Sequence, residues 1–339
     1  MKWLLLPLAI IAVYSIYYGS YYLVCPDGEG EGILAELNIP HPAVIAHRGA
    51  SIVAPESTRP AYEIARDLGS DYLEADLQRT ADGHIIVFHD QTLRRTSNVE
   101  ELYPERVDAD IGEFTLQELR QLDFGSWFNE QFPRYAQEHY RGLEILTLEE
   151  LIAVARAGHH RPGLILETKH PYKYPGIEED IVTVLQQEGW LEDDHPHAGT
   201  IFFSFSVGSL RTFQQLVPKV PRLLLITDSM ISRRSWEAWL ATAEAVAHGL
   251  GPKGFMAWPW HIAAAHDRGL FVFPYTINYL WQIQVLARFQ AAGFITDRPE
   301  IVLGFLNRIN GMRQPSPGDE LSAIPLEPGR LHGQSGNGQ

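Results

Sequence analysis

Residues 71–90, DYLEADLQRTADGHIIVFHD, carry the strongest indication of the architecture. Two apolar runs, residues 71–75 and 85–88, flank an Asp82-Gly83 pair that is typical of a tight turn. The segment between the runs is too short for a helix, so we predict that the chain returns in an extended conformation. Polar residues follow both runs, which places reactive groups at the ends of predicted strands.

Apolar runs of strand length recur outward from this stretch, and amphipathic stretches follow most of them. Such alternation predicts an α/β protein with a mostly parallel sheet, whose economical closed form is a (β/α)8 TIM barrel. There are nine candidate strands where a barrel needs eight, and residues 245–249, which overlap a candidate helix, are the weakest. The candidate strands are residues 43–46, 71–75, 85–88, 164–167, 200–205, 222–227, 245–249, 270–276 and 294–296, and the candidate helices are residues 59–68, 148–157, 178–187, 207–216, 233–247, 262–267, 281–292 and 300–310.

The composition excludes several classes of protein. The chain has 339 residues, 45% of them hydrophobic, a formal net charge of −15 and one cysteine. The apolar content excludes wholesale disorder, and the acidic balance argues against a nucleic-acid partner, which would need a basic face. A single cysteine excludes an intramolecular disulfide framework. The oligomeric state is left open.

The start of the chain is almost purely apolar. Residues 3–24 carry no charge, and as a helix they would be ~33 Å long, enough to cross a ~30 Å hydrocarbon core. Lys2 precedes this segment and acidic residues follow it, so we predict one transmembrane helix with the main domain on the non-cytoplasmic side, periplasmic or extracellular. A cleaved signal peptide and lipidation of Cys25 are the alternatives.

The predicted organisation has four segments. Residues 1–26 form the transmembrane anchor or uncleaved signal, residues 27–42 a linker, residues 43–313 the barrel domain and residues 314–339 a disordered tail. After the third candidate strand, residues 91–146 form a long, aromatic-rich insertion. Because long insertions in compact domains are usually lids or binding loops, we predict a cap over the barrel mouth, with a plain surface insertion as the alternative.

Three carboxylates lie at the ends of two of the candidate strands. Glu74 and Asp76 are two residues apart, so both side chains point to the same face of a strand, and Glu167 ends a later strand. In a parallel barrel these strand ends converge on one mouth, where clustered carboxylates need a cation. Hard oxygen ligands suit Mg²⁺ or Ca²⁺. Pairing of these acids with Arg or Lys at the barrel rim is the structural alternative.

Two histidines and two cations lie at the same predicted strand ends. His47 and His89 are suited to general acid–base catalysis, because an imidazole titrates near neutral pH. Arg48 and Lys169 add positive charge beside the carboxylates, as a phosphate ligand requires. For Asp297, which ends the last strand, we predict an ion pair with Arg298 that closes the barrel.

These residues lie in a series of motifs that, taken in order, resembles the glycerophosphodiester phosphodiesterase family. The resemblance covers roughly residues 43–305, including the insertion. Any one motif is weak evidence for the family, but the full series in this order is highly specific for it. The motifs are AHRGA (46–50), APE (54–56), EADL (74–77), DG (82–83), VFHD (87–90), LTLEEL (146–151), ETK (167–169), SF (204–205), YTIN (275–278) and ITDRP (295–299).

The resemblance implies a TIM barrel that hydrolyses a small-molecule glycerophosphodiester to glycerol 3-phosphate and an alcohol. It implies a divalent cation, Mg²⁺ or Ca²⁺, held by the three carboxylates Glu74, Asp76 and Glu167. It further implies that the two histidines, His47 and His89, form the acid–base pair. The two cations, Arg48 and Lys169, would lie near the phosphate.

The sequence departs from the family pattern at three positions, which puts substrate fit in doubt more than activity. Ser57 stands where the family often has Asn, Thr168 where a hydrophobic residue is common and Tyr275 where Trp is common. Two other functions stay open. A lysophospholipase D-type enzyme would use the same site and prefer lysophosphatidylcholine to glycerophosphocholine. A non-catalytic phosphodiester-binding membrane protein would bind several diesters without turnover.

Overall fold

The described part of the chain comprises residues 9–16, 19 and 29–308 of this computed structural model. Most of the predicted transmembrane segment, residues 3–24, lies outside these residues, as does the whole predicted tail, residues 314–339. Residues 9–16 are helical. None of the helices within the described ranges is both long and apolar enough to cross a membrane.

Eight parallel strands close into a barrel. The strands are β1 (Ala43–His47), β2 (Tyr72–Arg79), β3 (Ile85–Val87), β4 (Gly163–Thr168), β5 (Thr200–Ser204), β6 (Arg222–Ile226), β7 (Gly249–Pro252), β8 (Phe271–Val272) and β9 (Gly293–Thr296). All but β3 are neighbours in the order β8-β7-β6-β5-β4-β2-β1-β9. Hydrogen bonds from Ala292 N to Val272 O (3.0 Å) and from Ile295 N to Pro274 O (3.2 Å) join the two ends of this sheet. The architecture is the predicted TIM barrel.

Helices pack around the outside of the barrel. Some of them begin at polar caps: the Thr147 hydroxyl accepts a hydrogen bond from Glu150 N (3.4 Å), and the Ser235 hydroxyl accepts one from Ala238 N (3.3 Å). The helices are α1 (Glu29–Glu36), α2 (Arg59–Leu68), α3 (Val99–Leu102), α4 (Leu116–Leu119), α5 (Ser126–Gln131), α6 (Leu148–Arg156), α7 (Ile177–Gln187), α8 (Val207–Leu216), α9 (Asp228–Arg233), α10 (Trp236–Val246), α11 (Pro259–His266), α12 (Leu280–Arg288) and α13 (Pro299–Phe305).

The period of two along each strand places an apolar floor beneath a polar mouth. Tyr72 and Ile165 belong to the buried cluster inside the barrel. Two residues further along the same strands the inward positions are Glu74 and Glu167, and Asp76 follows Glu74 on the same face. The apolar layers therefore fill the barrel from below and leave the carboxylates at its C-terminal end.

The turn at Asp82-Gly83 forms as predicted, but it changes the role of the third strand. Gly83 has a φ of 93°, a left-handed conformation that favours glycine, and its N–H donates to Thr80 O (3.1 Å). The chain then returns as β3, which pairs antiparallel with β2 outside the barrel. The strand that exceeds the barrel's eight is therefore β3.

The prediction of a strand at residues 245–249 was wrong in position. Helix α10 continues to Val246, and β7 begins only at Gly249. A Cβ atom on Gly249 would lie 2.6 Å from Phe271 O, so the close approach of β7 to β8 requires glycine. Because β7 contains glycines where most strands have large apolar residues, the sequence lacks the apolar run by which a strand is predicted.

The insertion packs beside the barrel against the β2–β3 hairpin and the loop after β1. Phe88 of the hairpin is buried with Phe124 of the insertion, and Phe128 is buried against Ala54 and Ala61. Much of the aromatic content that suggested a cap is therefore buried within the insertion and between the insertion and the barrel.

Part of the predicted linker, residues 27–42, is a packed element. Leu34 of α1 and Ile39 are 1% and 5% exposed, and both belong to the buried cluster at the floor of the barrel. The described barrel unit therefore begins before the predicted boundary at residue 43.

Candidate active site

Glu74, Asp76 and Glu167 lie together at the C-terminal mouth of the barrel. One carboxylate oxygen from each lies within 4.8 Å of the others, and all three residues are buried. The parallel register explains this arrangement, because Asp76 of β2 lies directly beside Glu167 of β4. The three predicted metal ligands are thus brought together by strand pairing alone.

Arg48 and Lys169 are held against these carboxylates. The Lys169 ammonium lies 2.7 Å from Glu167 Oε1 and 3.1 Å from Asp76 Oδ1, and Arg48 Nε lies 3.0 Å from Asp76 Oδ2. Both predicted phosphate-binding cations therefore lie at the mouth. The ion pairs with Arg and Lys that form the structural alternative to a cation site are present as well.

The donor set fits a divalent cation. Neither carboxylate oxygen of Asp76 accepts an aligned hydrogen bond, although both are buried. Burial and the neighbouring Asp76 carboxylate raise the pKa of Glu74 to about 8. The raised pKa of Glu74 indicates that Arg48 and Lys169 do not balance the negative charge of the three buried carboxylates. A divalent cation would supply the additional positive charge. Glu74, Asp76 and Glu167 are the residues that would hold such an ion.

A left-handed turn after β1 places Arg48 and His47. Arg48 has a φ of 56° and Gly49 a φ of 85°. A Cβ atom on Gly49 would lie 2.5 Å from the backbone carbon of Ala61, so only glycine fits here. The turn directs the Arg48 N–H at Glu74 Oε2 (2.9 Å), which fixes the orientation of one predicted metal ligand.

His47 is oriented by the carboxylate of Asp297. The distance from His47 Nδ1 to Asp297 Oδ1 is 2.6 Å, and Asn278 Nδ2 donates to the other oxygen of Asp297 at 2.6 Å. Our prediction that Asp297 pairs with Arg298 was wrong, because Arg298 pairs with Glu300 instead. Asp297 follows β9 at the mouth. Its position directly after a predicted strand is the feature of the sequence that could have identified it as a site residue.

His89 reaches the mouth by the antiparallel hairpin. Because β3 runs back along β2, the Phe88 N–H donates to Asp76 O (2.8 Å), and His89 follows directly. His89 Nδ1 lies 2.6 Å from Asp90 Oδ1. His89 therefore lies at the mouth, but it follows β3, which is not a barrel strand.

The two histidines have oppositely shifted pKa values. Burial alone would lower the pKa of His47, but the Asp297 carboxylate outweighs burial and the pKa lies above its ordinary value. Burial, with the nearby cations Lys169 and Arg48, lowers the pKa of His89 to about 4. Opposite shifts make the two imidazoles unequal in basicity, which is what a pair of one acid and one base requires.

Three further residues form a network that sequence reasoning did not single out. Arg95 of the insertion contacts Asp90 and Glu56, and the Glu56 carboxylate in turn accepts from Arg48 Nη1 (2.9 Å). Glu56 and Asp90 belong to recognised motifs, but neither had been given a role. Their contacts join the loop after β1, which holds Glu56, to the loop after β3, which holds Asp90 and Arg95, so the spacing within the sequence does not reveal the whole network.

Comparison with known proteins gives a consistent result. The model of the glycerophosphoryl diester phosphodiesterase family matches residues 47–301. A glycerophosphodiester phosphodiesterase of Bacillus subtilis (strain 168) is 35% identical over 257 residues, which cover 76% of this chain and 84% of that protein. Another from Caldanaerobacter subterraneus is 29% identical and covers 78% of this chain and 98% of its own length.

Solved structures also resemble this chain. A phosphodiesterase of Oleispira antarctica, determined in complex with the product sn-glycerol-3-phosphate, superposes with a TM-score of 0.63 at 28% identity. The match covers 79% of this chain and 97% of that one. A glycerophosphodiester phosphodiesterase of Agrobacterium tumefaciens gives a TM-score of 0.59 at 25% identity, covering 77% of this chain and 98% of that one.

Proposed function

The chain belongs to the glycerophosphoryl diester phosphodiesterase family, and from this premise we infer that it hydrolyses glycerophosphodiesters to glycerol 3-phosphate and an alcohol. The observation that carries the inference is the buried triad of Glu74, Asp76 and Glu167 between two histidines at the barrel mouth. The relative from Oleispira antarctica, which holds glycerol 3-phosphate as its product, supports the same reaction.

We further propose that the triad binds Mg²⁺ or Ca²⁺, as its all-oxygen donor set favours. When bound, such an ion polarises the phosphoryl oxygens and offsets the charge that grows in the transition state. Arg48 and Lys169, which flank the triad, supply the fixed positive charge that binds and orients the phosphate.

His47 and His89 move the protons. One imidazole accepts the proton of the attacking oxygen, from water or a substrate hydroxyl, and the other donates a proton to the departing alcohol. In each case Nδ1 is held by a carboxylate, of Asp297 or of Asp90, so Nε2 is the nitrogen left to face the substrate.

Hydrolysis of glycerophosphocholine and glycerophosphoethanolamine tests the function. We expect release of glycerol 3-phosphate in the presence of Mg²⁺ or Ca²⁺, because the triad needs a cation to balance its charge. Chelation with EDTA should remove the activity, and re-addition of the ion should restore it. Undiminished hydrolysis after exhaustive chelation would contradict the metal role, and no hydrolysis of any glycerophosphodiester would contradict the function.

We also propose that the N-terminal apolar segment anchors the enzyme in a membrane, with the barrel on the non-cytoplasmic side. The absence of charge in residues 3–24 and the position of Lys2 before them support this proposal. Expressed in bacterial cells, the full chain should stay with membranes after an alkaline carbonate wash, and protease added to spheroplasts should digest it. The double variant Ile10→Asp/Val13→Asp should leave the membrane fraction, since each Asp costs about 3 kcal/mol in a bilayer. Wild-type chain in the soluble fraction would refute the anchor.

A further inference from the structure

One side chain of the insertion, Arg95, contacts two carboxylates at the mouth. Its Nη1 and Nη2 donate to the two oxygens of Glu56 at 2.8 and 2.6 Å, a bidentate pair. Its Nε and Nη2 also donate to the two oxygens of Asp90, at 2.5 and 3.1 Å. A guanidinium has a rigid planar fork, so it fixes both carboxylates relative to each other.

Each of these carboxylates holds a different part of the active site. Asp90 lies 2.6 Å from the Nδ1 atom of His89. Glu56 accepts from Arg48, whose Nε lies 3.0 Å from Asp76. Arg95 therefore connects His89 to Arg48 through two carboxylates, Asp90 on one side and Glu56 on the other.

We propose that Arg95 is a positioning residue that sets the imidazole of His89 and the guanidinium of Arg48 in one fixed geometry. The inference rests on the proposed function, because it assigns Arg95 to the same reaction. Without Arg95 the two carboxylates repel each other and each keeps only one of these partners, Arg48 for Glu56 and His89 for Asp90, so the two groups lose their shared orientation. A misplacement of about 1 Å can lower a rate by about 10²-fold, so the effect of this loss is measurable at a distance from the chemistry.

The neighbouring Arg94 supplies a matched control. It lies on the same segment and pairs with Glu100 (2.6 Å) and Asp108 (2.8 Å), so it also bridges two carboxylates. Both of its partners are exposed on the surface of the insertion. Replacement of Arg94 removes the same charge and also separates an arginine from two carboxylates, without touching the site.

The two arms of the network predict different kinetic effects. Arg95→Met should lower kcat about 10-fold to 10²-fold and raise KM for glycerophosphocholine, whereas Arg94→Met should leave both unchanged. Asp90→Asn should affect mainly kcat, through His89. Glu56→Gln should affect mainly KM, through Arg48, and should weaken glycerol 3-phosphate binding measured by calorimetry.

Double variants test the coupling itself. If Arg95 acts through these carboxylates, Arg95→Met/Asp90→Asn should be no worse in kcat than the more damaged single variant. Multiplied effects, or equal activity of Arg95→Met and Arg94→Met, would overturn the proposal while leaving the wild-type function intact. An inactive wild type would instead refute the function. Should Arg95→Met fail to fold, Arg95→Lys gives the same test, because one ammonium cannot form the bidentate pair.

Discussion

Replacement of Asp76 by asparagine is expected to lower kcat/KM by about 10³-fold or more, equivalent to about 4 kcal/mol of transition-state stabilisation. Asp76 is fully buried, and its carboxylate lies between Arg48, Lys169 and the other two acids of the triad. Burial would raise its pKa, but the two cations outweigh burial and hold the pKa well below its usual range. Asparagine keeps the shape and removes the charge, so both cation affinity and activity should fall.

The matched control for this substitution is Asp180→Asn. Asp180 also forms a close ion pair, with Arg79 at 2.5 Å, but it lies on α7 on the outside of the barrel. We expect this variant to retain wild-type kcat/KM and wild-type Mg²⁺ affinity by calorimetry. If Asp76→Asn still bound Mg²⁺ as the wild type does, the triad would not be the cation site.

Alanine in place of His47 or His89 should each lower kcat by at least about 10²-fold, because each removes a proton-transfer group. The double variant should be scarcely worse than the more damaged single variant, since the two groups act as a unit. Steady-state kinetics on glycerophosphocholine at saturating cation give the measurement. A half-exposed histidine of the β2–β3 turn, His84, provides the control substitution His84→Ala.

A histidine variant with a wild-type rate would remove that residue from the mechanism. The environments of the two residues make such an outcome informative. His47 is held by Asp297 and His89 by Asp90, each at 2.6 Å. A loss of rate in only one of the two variants would mean that only this histidine transfers a proton in the reaction.

Much of the site was predictable because it depends on strand periodicity. Glu74 and Asp76 share a face of β2 for reasons of geometry, and parallel pairing then places Glu167 beside them. The predicted bounds of α2 and α8, residues 59–68 and 207–216, are the observed ones, because both helices have clear amphipathic patterns. Local spacing and barrel topology together therefore locate the charged mouth.

The partners of the site residues were not predictable in the same way. Asp297 follows β9, yet it meets His47 only because β9 pairs with β1 when the barrel closes. Arg95 lies in the irregular loop after β3, and its guanidinium joins Asp90 of the same loop to Glu56 of the loop after β1. Such contacts depend on the path of loops with left-handed residues such as Arg48, which no hydrophobic pattern encodes.

The central claim is that one divalent cation lies among Glu74, Asp76 and Glu167 beside the two histidines. A crystal structure of the wild-type enzyme with Ca²⁺ and glycerol 3-phosphate tests it most directly, since the anomalous signal of calcium locates the ion independently of the protein. The account predicts one ion with all three carboxylates as ligands, at 2.3–2.6 Å as is usual for calcium, and the phosphate against Arg48 and Lys169. An active enzyme whose ion lies elsewhere, or whose triad stays bound only to Arg48 and Lys169, would contradict it.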